Sequence, residues 1–346
     1  MKNKVLVLGY FGYATNQLDG QTVKTRSVFS LLKFKEEEIG TVSFFDTQQF
    51  QYSKLSFFKM LLFIIKCNKL IYLPAHNNLK YIFPLLFFIS RFKKMEVFYI
   101  VIGGWIEGFL QSKKMHVSML SKIDGIFTES NQMANSLIDR YHFTNVSTFP
   151  NFRIHSFVPS FNISEATFKV AYMARIFREK GIDTVFRLAG YLQKTYGKEH
   201  SICIDFYGQI QSDEEAYFRE EVEKHYFVSY KGVLEPEQIY KVLDQYDVVV
   251  LPTRFFTEGF PGTIMDAYIS GVPVVVTRWK YATEFVNHGH SGYLFDLDRE
   301  EEFFSYVDLL YHDRTQLLKM KRGAYEKSKE YSAASAWEIL KKHLVQ

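Results

Sequence analysis

The stretch from Asp247 to Thr277, DVVVLPTRFFTEGFPGTIMDAYISGVPVVVT, leaves little choice of architecture. Val248–Leu251 is a short apolar run closed by Pro252, the pattern of a buried parallel strand. A polar, glycine-bearing loop runs from Thr253 to Gly262. Thr263–Ser270 reads as a short helix, Gly271 stands where helices end, and Pro273 opens a second apolar run, Val274–Thr277. Strand, loop, helix and strand make one βαβ unit. In such a unit the loop after the first strand faces the ligand crevice, and the helix N-terminus offers unpaired N–H groups to an anion.

That loop carries Glu258, Gly259, Phe260, Pro261, Gly262 and Thr263, and Asp266 follows Glu258 by eight positions. Two carboxylates beside a phosphate site make chemical sense as grips for hydroxyls, a ribose on one side and a sugar on the other. The segment EGFPGTIMD resembles the Glu, seven residues, Glu signature of the retaining GT-B glycosyltransferases of family GT4, with Asp266 standing for the second Glu and reaching one methylene less far.

The rest of the chain alternates strands and helices, which defines an α/β protein. Lys4–Leu8 is a first buried strand, Gly9–Gly20 a loop and Gln21–Phe34 a helix; a GxGxxG fingerprint is absent. Val42–Phe45, Lys69–Leu73, Val97–Ile102, Ile123–Phe127 and Val146–Phe149 read as strands, with helices at Leu55–Ile65 and Leu79–Arg91. Residues 152–166 are aperiodic, as a linker would be. Beyond them come strands at Phe168–Met173, Cys203–Tyr207, Val228–Tyr230 and Gly292–Phe295. Helices are expected at Ile182–Tyr196, Asp213–His225, Pro236–Gln245 and Ala333–Leu344. Asp296-Leu297-Asp298 reads as the cap of a following helix.

The resemblance covers nearly the whole chain and is most specific from Phe168 to Phe295. It implies a GT-B fold: two Rossmann-like domains facing each other across a cleft. Residues 1–155 would bind acceptor and 156–330 nucleotide sugar, with a helix in 331–346 crossing back to the first domain. Arg175, Lys180 and Gly181 match the family's Gly-Arg…Lys-Gly pattern, with Ala174 in place of the first Gly. Arg175 and Lys180 would hold the donor diphosphate and neutralise the leaving group. Glu258 would orient the transferred sugar and Asp266 the ribose; Arg175, Lys180 and Glu258 are the expected catalytic set. Gly208 and Gly232 follow strands whose ends meet the base in relatives. Gly20 and Thr22 match a loop near donor phosphates and acceptor. Gly103 and Gly104, followed by Trp105, occupy ground where many relatives have a His, and His76 and His116 are the available substitutes. The implied donor is a UDP-sugar, with no cofactor and no metal, and the implied acceptor a lipid-linked or oligosaccharide chain in capsule, exopolysaccharide or O-antigen assembly. Two rival readings are a sugar-nucleotide epimerase and a non-catalytic module of a polysaccharide assembly complex.

Charge bears on partners. The net charge of +4 conceals an asymmetry: residues 1–155 hold 19 Lys and Arg against 10 Asp and Glu, and residues 156–346 hold 23 against 28. From Thr47 to Met95 there is no acidic residue, while eight basic ones are interleaved with the apolar runs Phe57–Ile65 and Tyr81–Phe92. Basic charge beside aromatics fits an anionic bilayer surface. Nucleic acid fits less well, since the chain as a whole is not strongly basic. No run reaches the roughly 18–20 apolar residues of a membrane span. Gly9 and Gly12 interrupt the first apolar run, against export. Cys67 and Cys203 make neither a disulfide framework nor a metal cluster. The expected place is therefore the cytoplasm, peripheral on the inner membrane face.

Overall fold

The computed structural model describes residues 3–164, 166–197 and 201–345. They form two compact units, one built from the chain up to Ile154 together with the segment from Tyr331, the other from His155–Glu330.

The first unit holds strands β1 (Lys4–Gly9), β2 (Thr41–Asp46), β3 (Lys69–Leu73), β4 (Glu96–Ile100), β5 (Gly125–Thr128) and β6 (Val146–Thr148). They form one parallel sheet in the order β2-β1-β3-β4-β5-β6. The step from β1 to β2 runs opposite to all later steps. Right-handed crossovers therefore place the Gly20–Phe34 helix on one face and the remaining crossover helices on the other. The first face is closed by the Ala333–Leu344 helix. Val5, Val7, Ile71, Phe98, Ile100 and Phe127 of the sheet pack with Val28 and Leu32 of the first helix and with Trp337, Leu340 and Leu344 of the last. Ser332 caps that last helix by accepting from the Ser335 amide, and Lys69 Nζ donates to the His343 carbonyl at 3.2 Å.

The second unit holds β7 (Phe168–Met173), β8 (Ile202–Tyr207), β9 (Val228–Tyr230), β10 (Val248–Leu251), β11 (Val274–Thr277) and β12 (Gly292–Phe295). This sheet is also parallel, in the order β12-β11-β10-β7-β8-β9. The βαβ unit read from Asp247–Thr277 is present, with Val249 opposite Val274 and the connecting helix at Gly262–Ile269. The chain winds outward from β7 to β9 and then outward the other way from β10 to β12. The switch point lies between β7 and β10, where doubly wound sheets open a crevice at the strands' carboxyl ends.

Several local expectations change. Leu79–Arg91 is two helices, His76–Tyr81 and Phe83–Lys93, because Pro84 sits in the first turn of the second and cannot donate to the turn before it. Gly20 is the first residue of its helix, which Asp19 caps. Pro236–Gln245 is a 3-10 turn at Pro236–Gln238 followed by a short helix, Ile239–Leu243. Asp298 does not cap the Glu300–His312 helix, whose N-cap is Arg299, and Asp296 pairs with Arg278 at 3.1 Å. The Arg314–Ser328 helix was not among the expected elements. Among the described residues no helix is long and apolar enough to cross a membrane.

Candidate active site

The site assembles at the β7/β10 switch point from two loops and one helix end. After β7 the chain runs through Ala174 and Arg175 to a 3-10 turn, Arg178–Lys180, and then to the Ile182–Tyr196 helix. Gly181 joins turn and helix at φ 84°, and a Cβ there would lie 2.0 Å from the Pro252 carbonyl oxygen. Only glycine lets the β7 loop approach the β10 loop this closely. Tyr172, buried in β7, donates its hydroxyl to the Arg175 carbonyl (3.2 Å) and the Lys180 carbonyl (3.3 Å), tying both ends of the loop to the sheet. Burial, and then the nearby Glu258 and Asp183 carboxylates, push the Tyr172 phenol well above its ordinary range, so the donor stays protonated.

The Lys180 ammonium forms an ion pair with Glu258 Oε2, and the Thr253 hydroxyl donates to the same oxygen at 3.1 Å. Both partners of the ion pair are nearly buried. An ammonium carries three N–H donors, so one bond to Glu258 leaves others for an incoming anion. Lys180 also lies over the Phe255 ring at 4.9 Å, and the exposed Arg175 lies over Phe177 at 5.2 Å. Phe177 and Phe255 meet edge to face. Two cations from opposite ends of the β7 loop thus rest on one aromatic pair.

The Gly262–Ile269 helix completes the cluster. Pro261 is its N-cap and no side chain caps it, while the Ile264 amide donates back to the Pro261 carbonyl at 3.1 Å. The Thr263 hydroxyl donates to the Met173 carbonyl, which fixes the helix start two residues from Arg175. Behind the loop, the Gly259 carbonyl accepts from Trp279 Nε1 at 2.9 Å, and Phe260 stacks on Phe285 with centroids 4.0 Å apart. Arg254 binds Asp183 through two 2.8 Å contacts, and its amide donates to the Glu179 carbonyl. The positions of Arg175, Lys180, Glu258, Gly259, Phe260, Pro261, Gly262 and Thr263 therefore form one connected patch.

Asp266 lies buried on the second turn of the same helix. Its carboxylate acts on His155, whose imidazole burial pulls below the ordinary range while a backbone bond at Phe157 and Asp266 act the other way. Gly208 closes β8 at φ 137°, where a Cβ would lie 1.9 Å from the Ala174 carbonyl oxygen, and its amide donates to the Gly232 carbonyl at 2.9 Å. The ends of β7, β8 and β9 are thereby laced together beside Arg175.

In the first unit the structure separates the candidates. His116 is buried, with Nε2 bonded to the Leu79 and Lys80 carbonyls (3.2 and 3.3 Å), and serves to end a helix. His76 is exposed at the end of β3, its ring 5.3 Å from that of Trp105, and Trp105 follows Gly103 and Gly104 at the end of β4. His76, Gly103, Gly104 and Trp105 so belong to one carboxyl edge. Gly20 has open space around its α-carbon, and the Thr22 hydroxyl is buried and accepts from the Asp19 amide in a capping box.

Tyr172, Thr253, Trp279 and His155 were not legible as site residues, since each acts through folded contacts that no local sequence pattern marks. The same holds for a fully buried pair in the first unit. Lys24 Nζ contacts Glu129 Oε1 and the Val101 carbonyl, each at 3.1 Å, just before Gly103. Burial pulls the Lys24 ammonium below its ordinary range, and Glu129 opposes that shift.

Comparison with known proteins agrees with this geometry. Over 191 residues the chain is 25% identical to the poly(ribitol-phosphate) alpha-N-acetylglucosaminyltransferase of Staphylococcus aureus (strain COL), covering 54% of this chain and 37% of that one. Over 186 residues it is 24% identical to the D-inositol 3-phosphate glycosyltransferase of Pseudarthrobacter chlorophenolicus, covering 51% and 44%. The matched region spans less than half the length of these curated relatives. Among solved structures, Anabaena HepE in complex with UDP and glucose superposes with a TM-score of 0.71 at 15% identity, covering 99% of each chain. The pneumococcal O-GlcNAc transferase GtfA, in complex with UDP and GlcNAc, does so with 0.66 at 20% identity, covering 84% of this chain and 58% of that one. At such identities the likeness is one of fold, and the two six-stranded parallel sheets are those of GT-B glycosyltransferases. The family model of glycosyl transferases group 1 matches residues 155–327, half of the chain and all of the patch described above. The chain belongs to the glycosyl transferases group 1 family.

Proposed function

We propose that this chain moves a hexose or N-acetylhexosamine from a UDP-sugar to a saccharide acceptor, with retention at the anomeric carbon and without a metal ion. The observation that carries the reading is the meeting of Arg175, Lys180, Glu258 and an uncapped helix N-terminus at one switch point. Negative charge grows on the departing diphosphate, and fixed cations and amides placed there stabilise it without reorganising. Arg175 offers a planar fork to phosphate oxygens, Lys180 a compact charge held in place by Glu258, and the first amides of the Gly262–Ile269 helix a further anion seat. Glu258 grips sugar hydroxyls and Asp266 the ribose. The acceptor hydroxyl attacks from the face the diphosphate leaves, so no carboxylate pair of the hydrolase kind is required.

UDP as the nucleotude's identity is supported by the UDP bound in the HepE and GtfA complexes. A lipid-linked acceptor in a surface polysaccharide such as capsule, exopolysaccharide or O-antigen, met at the inner membrane face, is supported by the acid-free basic segment and by the polymeric acceptor, poly(ribitol-phosphate), named for the Staphylococcus aureus relative. His76, Trp105, Gly103 and Gly104 form the acceptor edge of the first unit.

A thermal-shift screen across UDP-, GDP- and ADP-sugars, followed by transfer assays, tests the reading. A donor at a hundred times its Kd stabilises the native state by about 2.7 kcal/mol. UDP-sugars should raise the melting temperature and the others should not, and Arg175→Ala and Glu258→Ala should abolish transfer. Near-normal transfer by both variants refutes the site.

A further inference from the structure

Two neighbouring helices of the first unit are apolar on both sides. The Ser56–Lys66 helix turns Met60 and Ile64 inward, where both are fully buried. Outward it presents Leu55, Phe58, Leu62 and Ile65, the i, i+3, i+7, i+10 spacing of a single stripe. The Phe83–Lys93 helix repeats the arrangement, with Phe83, Leu86 and Phe87 inward and Leu85, Phe88 and Phe92 outward at i, i+3, i+7. Phe58, Leu62, Ile65, Phe88 and Phe92 are between 55% and 91% exposed. Sheet order and crossover hand put both helices on the same face of the sheet. The Lys93 ammonium ties their ends side by side by donating to the Ile64 carbonyl at 2.9 Å and to the Cys67 carbonyl.

An exposed apolar patch of two aligned stripes requires an occupant. Charge says which. Lys54, Lys59, Lys66, Arg91 and Lys94, all exposed, lie within or next to the two helices in the chain, Lys80 lies just ahead of the second, and no acidic residue occurs between Thr47 and Met95. A basic rim around aromatic and aliphatic anchors is the chemistry that takes up an anionic bilayer, headgroups on the ammonium groups and rings among the acyl chains. We infer that the Ser56–Lys66 and Phe83–Lys93 helices lie together in the headgroup layer of an anionic membrane, their stripes inserted. The inference rests on the membrane-borne acceptor proposed above and names the surface that reaches it. Both helices run back from the carboxyl edge of the sheet, so the loops bearing His76 and Gly103–Gly104 stand at the end of the docked face where a lipid-anchored saccharide enters.

Sedimentation of the full chain with phosphatidylglycerol/phosphatidylcholine vesicles, at low and high salt, tests it. The wild type should sediment with these vesicles at low salt, weakly at high salt, and not with pure phosphatidylcholine. Phe58→Ser/Phe88→Ser should reduce partitioning on the order of tenfold. The positions are exposed, so the double variant should keep the wild-type melting temperature and its stabilisation by UDP. Absence of vesicle binding, or equal binding by the double variant, overturns the inference. So does a concentration-dependent dimer in vesicle-free samples that the double variant abolishes, since a second copy would then cover the face. UDP stabilisation read on the same samples separates the two proposals: lost vesicle binding with UDP binding intact refutes the docked face alone.

Discussion

Replacing Lys180 by methionine removes one charge from a pair with little water around it. The Lys180 and Glu258 side chains are 12% and 10% exposed, and among the described residues the other donor to Glu258 Oε2 is the neutral Thr253 hydroxyl. Breaking a fully buried ion pair by deleting one partner costs about 3–5 kcal/mol, because the survivor keeps its desolvation without its counter-charge. The remaining exposure here and the Thr253 bond lower the expectation to about 2–3 kcal/mol. For a unit the size of His155–Glu330 that is a fall of roughly 5–10 °C in Tm. Glu258→Gln introduced together with Lys180→Met takes away the stranded carboxylate and should recover more than half of the loss. The recovery is the signature of coupling rather than of two separate defects. Donor affinity behaves differently, because both single and double variants lack the cation. UDP binding should weaken by about 30-fold or more in each, as expected for a lost charge-assisted contact. Differential scanning calorimetry supplies the first quantity and isothermal titration with UDP the second. If Lys180→Met melts with the wild type, the pair is better hydrated than its burial implies. If UDP affinity stays within twofold, Lys180 does not meet the diphosphate.

Three further outcomes follow from the same geometry. Gly181→Ala forces a left-handed φ and a Cβ against the Pro252 carbonyl, so it should destabilise the second unit by about 2–4 kcal/mol and weaken UDP binding, measured by chemical denaturation and titration. Tyr172→Phe removes the hydroxyl that holds both ends of the cation loop; a stability loss of about 1 kcal/mol with a larger rise in donor KM than fall in kcat is expected, and an unchanged KM would refute the tether. Burial pulls the Lys321 ammonium down to about 8 from 10.5. Between pH 8 and 9 the unfolded chain therefore holds a proton that the folded unit has begun to release, and folding stability from this group rises with pH, by at most roughly 1.4 kcal/mol per unit. Above pH 9 the Cys203 thiol, pushed up to about 11, contributes the opposite slope. Urea melts across pH 7–9 should show the rise in the wild type and its loss in Lys321→Met.

Local pattern carried a large part of this fold. Strands β7, β9, β10, β11 and β12 and the Ile182–Tyr196 and Ala333–Leu344 helices coincide with the apolar runs and periodicities that mark them. The site's two loops were legible because a strand end, a glycine and charged residues stand close together in the sequence. What escaped notice is set by contacts made only in the fold. The Tyr172 hydroxyl reaches Lys180 in the following loop, Trp279 reaches Gly259 and Lys24 reaches Glu129 across 105 positions, and no local pattern distinguishes these residues from ordinary core or surface ones. Charge patterning misled in one place. Asp298 precedes an acidic helix start and has the right chemistry for a cap, yet the backbone turn at Asp296–Arg299 puts Arg299 at the cap position. For His76 and His116 the sequence offered no choice, and burial made it, by committing one ring to two carbonyls.

The first sheet is finished by residues that the ribosome makes only after the whole of the second unit. Val5, Val7, Phe98 and Phe127 wait for Trp337, Leu340 and Leu344 before their face is dry. During synthesis the other unit, which is continuous from His155 to Glu330, can fold whole while its predecessor stays half-clothed. A nascent chain arrested shortly after Glu330 would accordingly carry one finished unit and one greasy sheet, a natural client for chaperones, and truncation ahead of the Ala333–Leu344 helix would freeze it in that condition.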